Sequence, residues 1–391
     1  MPSSPASSNA RTSLAAALAC LGTGLLIGAA VARLGLSALE HAHTLEVLSE
    51  CALVICLSCA GVTLAEGLER SIHDGSLRLA LIAMPTTIAL IAGVANVFLG
   101  LPFNEGMLLG AILAPTDAVL AGSLPVMPDG ASRQVLVAEG ALTSSLALPA
   151  VLFALGLCGD HDLGPGALRW VMVDVVWASA SGVALGWAAG AGAAFALARL
   201  DSRGPFGALE LLVLACTATL AYGAALPLHA NGLLCVLVAG VALSFRGRLA
   251  PRSPPTARLA RRLAAGARRT EQAAGLAIVA GVGALLAVSD VRPALILFAL
   301  LVIVGVRPLA AHLALGSLQG HELDRRAIAW FGVRGLAPIY LLMFAVDQGV
   351  DGRTASELIA VTVAVLATSI ALHGLTALPL GNRPVDPQRQ H

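Results

Sequence analysis

Apolar runs of about 20 residues recur from one end of the 391-residue chain to the other, each long enough to cross a bilayer core as a helix. In lipid every backbone amide needs an internal partner, so only helices and closed barrels span it. The ten-residue alternating strands of a barrel are absent. Only 12% of residues are charged and mean hydropathy is +0.84, where a soluble domain carries roughly a quarter charged residues. The chain is expected to be an all-α polytopic membrane protein.

Twelve transmembrane spans are predicted, at about 13–37, 44–67, 78–100, 105–124, 133–158, 167–199, 206–226, 228–245, 270–289, 291–316, 325–347 and 355–380. Pro227 interrupts the apolar run near 226–228, which leaves a merger of spans 7 and 8 open. Residues 1–12 form a polar leader, 13–245 a first membrane half with spans 1–8, and 246–269 an arginine-rich cytoplasmic loop. Residues 270–380 form a second half with spans 9–12, and 381–391 a short tail. The run after the leader is too long for a signal-peptide core and reads as a first membrane helix.

Arginine placement sets the expected orientation. The chain contains no lysine, and the 246–269 segment, RGRLAPRSPPTARLARRLAAGARR, holds eight arginines. With the N-terminus inside, that segment and Arg11, Arg70, Arg78, Arg133, Arg199, Arg203, Arg325, Arg326, Arg383 and Arg389 are cytoplasmic. The other side receives Arg33, Arg169, Arg292 and Arg353. By the positive-inside bias both termini are expected in the cytoplasm, in the inner (plasma) membrane. Heavy Ala, Gly, Leu and Arg usage suits a GC-rich bacterial genome. The arginine-rich segment is expected to set topology and link the halves, with contact to anionic membrane lipid as the other reading.

Several function classes drop out. A net charge of +1 offers no handle for nucleic acid. There is no HExxH, no GxSxG elbow and no soluble catalytic domain, so neither an enzyme nor a cofactor is expected. The seven cysteines lack metal-type spacing, and Cys56 and Cys59 sit mid-helix without a partner pair, so all read as small packing residues.

Charge inside a span is costly and is seldom left without a task. Asp117 stands in the apolar run LLGAILAPTDAVLAGSL (108–124), beside Pro115, which breaks the helix and frees carbonyls for a cation. That pattern points to transport or proton relay; the plainer reading is an acid that braces the bundle. Glu139, Asp174, Glu50, Glu210, Arg307 and Arg334 also fall inside spans. A Glu139–Arg307 pair neutralises both partners most simply, as a brace or in direct service of transport. Glu139 shares a helix face with Thr143, and Ser144 lies about 100° further round. Glu50, Asp174 and Glu210 have no broken helix beside them and read as structural or dimer contacts.

Span 4 is interrupted at Ala114–Asp117, and span 11 carries Gly332-Val333-Arg334-Gly335 before Pro338. Each centres a three-helix group, and the odd separation gives the groups opposite topology, the signature of inverted repeats with two crossing broken helices. At such a crossing Asp117 suits helix N-termini and Arg334 suits C-terminal ends.

LLGAILAPTDAVLAGSL, then EGALTSS, then LHANGLLCVLVAGVALS, then Arg307-Pro308 and FGVRGLAP together resemble the sodium/proton exchanger family of monovalent cation/proton antiporters, over roughly 45–380. The resemblance implies a core transport domain, a dimerisation domain, a homodimer, and exchange of Na+ or a related monovalent cation for H+ by alternating access. Carried onto this sequence, Thr116 and Asp117 match the first crossing helix, and Glu139 the Glu that begins the next span. Arg307 matches the arginine that pairs with it, and Arg334 the arginine of the second crossing helix. One departure stands out: Thr143-Ser144 replace the family's usual Asn-Asp. Asp117 is then the expected shared ion and proton site, with Thr116, Thr143 and Ser144 as neutral oxygen ligands for Na+, Li+ or K+. Glu139, Arg307 and Arg334 compensate charge. The alternative is a degenerate member without coupled antiport, working as a cation or solute pathway, a sensor or a scaffold.

Overall fold

A computed structural model of the protein describes residues 19–30, 32–33, 39, 41–65, 70–123, 131–199, 208–249, 254–316 and 324–380. Among the described residues there is helix and no strand. Seven helices among the described residues are long and apolar enough to cross a membrane: Ala42–Leu64, Asp74–Leu99, Ala131–Cys158, Pro165–Ala196, Ala265–Val288, Pro293–Leu315 and Gly352–Thr376. Shorter apolar helices are Ala19–Ala30, Leu212–Leu228, Gly232–Ser244 and Leu336–Asp347. With the interrupted segments 103–123 and 325–347, helix occupies each of the twelve predicted places. The leader 1–12 and the tail 381–391 lie outside the described residues.

Spans 7 and 8 are separate. The helix Ala208–Ala225 ends in a tight turn, Leu226–Leu228, because Pro227 cannot continue an α-helical ladder. His229 follows in the left-handed region (φ 51°), and span 8 runs from Gly232 to Leu249. The turn is anchored by Asn231, whose Nδ2 donates to the Ser145 carbonyl of span 5 at 2.7 Å and whose backbone N–H donates to Ala178 of span 6 at 2.8 Å.

The segment expected as a loop at 246–269 differs. Span 8 runs into its first residues, and Pro254–Val288 is one helix of 35 residues that continues into span 9. Pro254 and Pro255 suit the first helical turn, and the Ala, Arg and Leu that follow are good helix formers. Charge marks where water begins; it does not end a helix.

Packing sorts the spans. Span 12 has 61% of its apolar window buried, whereas span 6 has 17% and carries exposed Met172, Val176, Trp177, Val183 and Trp187. The core therefore gathers around spans 2–5 and 10–12, with parts of spans 8 and 9, and span 6 turns an apolar face outward, as a lipid-facing or subunit-facing helix does.

Candidate functional site at the crossing of two broken helices

Span 4 stops being helical between Phe103–Leu113 and Ala118–Ser123, and span 11 between Arg325–Trp330 and Leu336–Asp347. Pro115 supplies no N–H for the first break. The two breaks hydrogen-bond to each other, with Asp117 N–H donating to the Val333 carbonyl at 2.8 Å. Such non-helical backbone is tolerable at membrane depth only when buried in protein or lining a cavity.

Asp117 is 4% exposed. Its Oδ1 accepts the backbone N–H of Val119 (2.8 Å) and Leu120 (3.0 Å), and its Oδ2 accepts that of Leu336 (2.6 Å). One carboxylate thus caps the N-terminal ends of both second half-helices, where a negative charge is favoured. A carboxylate offers about four lone-pair sites, so one has no partner among the described residues. Close approach depends on Gly335, where a Cβ would lie 2.4 Å from Asp117 Oδ2, and on Gly140 of span 5, where it would lie 2.5 Å from Ala118 N. Gly335→Ala is expected to lower stability by about 1–3 kcal/mol through overpacking, read as a lower melting temperature in detergent.

Arg334, 1% exposed, answers Asp117 with the opposite charge. Its Nε donates at 2.5 Å to the Leu113 carbonyl, at the C-terminal end of the first half-helix of span 4. Its Nη1 and Nη2 find no hydrogen-bond partner among the described residues. Arg307 and Glu139 form a two-point ion pair, Nη1–Oε1 at 2.6 Å and Nη2–Oε2 at 2.7 Å, with side-chain exposures of 4% and 1%.

Hydroxyls fasten the unwound stretch of span 4 to span 5. Thr116 N–H donates to Thr143 Oγ1 at 3.3 Å, and the Thr116 and Thr143 Oγ1 atoms lie 3.5 Å apart. Thr143 Oγ1 donates to the Glu139 carbonyl at 2.9 Å, and Ser144 Oγ to the Thr116 carbonyl at 3.0 Å. Thr116, Asp117, Glu139, Thr143, Ser144, Arg307 and Arg334 are thus brought into one buried region.

The other intramembrane acids lie elsewhere. Glu50 Oε1 accepts from the hydroxyls of Tyr222 and Tyr340, tying spans 2, 7 and 11. Asp174 meets His161 at 3.2 Å. The Glu210 side chain is outside the described residues. A buried imidazole and a further buried carboxyl are not singled out by the sequence. His373 of span 12 has Nε2 3.0 Å from the Trp330 carbonyl, at the C-terminal end of the first half-helix of span 11, and Nδ1 2.7 Å from the Ser369 carbonyl. The other is Glu271 at the start of span 9, 8% exposed. Ser369 and His373, four residues apart in an apolar run, are the available sequence signal for the first.

The family described as "Sodium/hydrogen exchanger, transmembrane" matches residues 13–383. The chain belongs to the sodium/hydrogen exchanger family. It is accordingly a multi-pass membrane protein of a transporter family, with sodium and protons as the family's exchanged ions. Its fold is that of the sodium proton antiporter MjNhaP1 from Methanocaldococcus jannaschii at pH 8, with a TM-score of 0.67 at 18% identity over 94% of this chain and 99% of that one. A second structure of MjNhaP1, an electron-microscopy map, gives 0.66 at 18% identity over 95% and 99%. At that identity the likeness concerns architecture, and the exchanger's site chemistry rests on its own residues.

Proposed function

We propose that this exchanger trades one monovalent cation, Na+ foremost and Li+ or K+ as alternatives, for one proton by alternating access, with Asp117 as the shared site. The observation that carries this reading is the Asp117 carboxylate, buried where two broken helices meet and with one lone-pair site uncommitted. Thr116, Thr143 and Ser144 bring neutral hydroxyl and carbonyl oxygens to the same stretch of backbone, the hard ligands that alkali cations prefer. A cation and a proton compete for one negative charge, and a single acid carries one of either. Exchange is then electroneutral. Arg334 and the Glu139–Arg307 pair balance the remaining helix-end and side-chain charge.

Around this site, residues 13–245 and 270–380 act as the two membrane halves. The exchanger sits in a bacterial inner (plasma) membrane with both termini cytoplasmic, a placement supported by the arginine asymmetry. It works as a homodimer, and the exposed apolar face of span 6 supports a contact there with the second copy or with lipid.

The competing reading, a family member without coupled exchange, has two observations behind it: three of the Asp117 lone pairs are spent on capping, and Ser144 offers a hydroxyl that does not titrate. Everted vesicles loaded with a pH dye and challenged with Na+, Li+ and K+ separate the two. Saturable, cation-dependent proton movement supports exchange; cation binding without it supports the competitor. A second acid beside the first has its own effect. Ser144→Asp is expected to lower the apparent KM for Na+ by about tenfold, the size of one added favourable contact of about 1.4 kcal/mol. An unchanged KM would place position 144 away from the cation.

A further inference from the structure

Glu271 is a further buried acid, on a helix that packs beside the crossing, and it has no part in the site described above. It lies in the helix Pro254–Val288, one turn after Arg268. That helix packs against span 2 and against the half-helix Ala118–Ser123 that Asp117 caps. Thr63 Oγ1 of span 2 is 3.4 Å from Glu271 Oε1. The same hydroxyl is 3.0 Å from the Ala60 carbonyl and has one proton, so the two acceptors compete for it. The Asp117 carboxylate and the guanidinium groups of Arg133 and Arg268 lie near enough to act on Glu271 electrostatically.

Those neighbours differ in exposure. Arg268 is exposed and Arg133 half-buried, whereas Glu271 and Asp117 are both buried. Two carboxylates within interacting distance repel, and a cation or proton held by either relieves that repulsion. With a hydroxyl at Ser144 and Glu139 held by Arg307, span 5 offers Asp117 no free acid of its own. An acid from span 9 stands on the side of the protein where the arginines are.

We propose that Glu271 is a second ion-binding carboxylate of the exchanger, where the cation displaces a proton on its way between the arginine-bearing face and Asp117. The proposal rests on the exchange reading above. Its test is sodium-dependent proton movement in proteoliposomes of the full-length protein, with Glu271→Gln, Glu271→Asp and Asp117→Asn compared. Glu271→Gln is expected to raise the apparent KM for Na+ by about tenfold while Glu271→Asp stays within about threefold of the parent. A brace alone would lose melting temperature without moving KM, so Glu271→Gln at parental KM overturns the proposal, even with Asp117→Asn inactive. A parent with no exchange overturns the exchange reading instead.

A second measurement needs no variant. Dicyclohexylcarbodiimide modifies protonated carboxyls in apolar surroundings, and the adduct on Glu271 in the parent protein is counted by mass spectrometry. Na+ is expected to slow its formation by about fivefold or more, as occupancy by a competing ligand requires. Labelling at the same rate with and without Na+ contradicts an ion site at Glu271.

Discussion

Asp117→Asn is expected to abolish cation-driven proton movement, a loss of at least about a hundredfold, the usual contribution of a positioned proton-carrying group. An asparagine neither takes up the transported proton nor balances the cation. The fold is expected to survive at some cost. Rotated one way, the amide oxygen keeps the Val119 and Leu120 bonds, but its NH2 then faces the Leu336 N–H that Oδ2 now accepts. Two donors facing each other in a buried site cost about 1–3 kcal/mol, a modest drop in melting temperature. Vesicle assays and detergent melting on the same preparation separate the effects. Retained exchange would show that Asp117 serves only as a double helix cap.

Breaking the Glu139–Arg307 pair is expected to cost most in stability. Either Glu139→Ala or Arg307→Ala strands a charge among buried residues, for about 3–5 kcal/mol. Replacing both by apolar residues of similar size, Glu139→Leu with Arg307→Met, removes the stranded charge, and most of the loss is expected to return. Single and double variants compared by melting in detergent decide the matter. Additive losses would mean that the two side chains act independently, against their two-point contact at 2.6 and 2.7 Å.

Much of this architecture is legible in the residues themselves. Length and apolarity locate the spans, because a bilayer demands about 20 residues of each, and Pro115 and the Gly332–Gly335 stretch mark the two breaks. Arg307 and Glu139 are readable as partners because two opposite charges at membrane depth need each other. Three features were not. The arginine-rich stretch from Pro254 onward reads as loop by its charge, while its Ala, Arg and Leu carry the helix on. The double cap by Asp117 draws on donors at Val119, Leu120 and Leu336, which only tertiary structure brings together. Glu271 resembles an interfacial acid beside Arg268 and Arg269 in sequence, and its burial follows from how spans 2 and 9 pack on the short half-helix of span 4.

The central claim is that a cation and a proton take turns on the Asp117 carboxylate. Calorimetry of Na+ binding to the purified protein, in buffers of different ionisation enthalpy, counts the protons released per cation bound. The expected result is a net release that approaches one proton per Na+ as the pH falls, with weaker Na+ binding at lower pH, and sharply weakened binding in Asp117→Asn. Na+ binding that releases no proton at any pH, or that persists unchanged in Asp117→Asn, would contradict it.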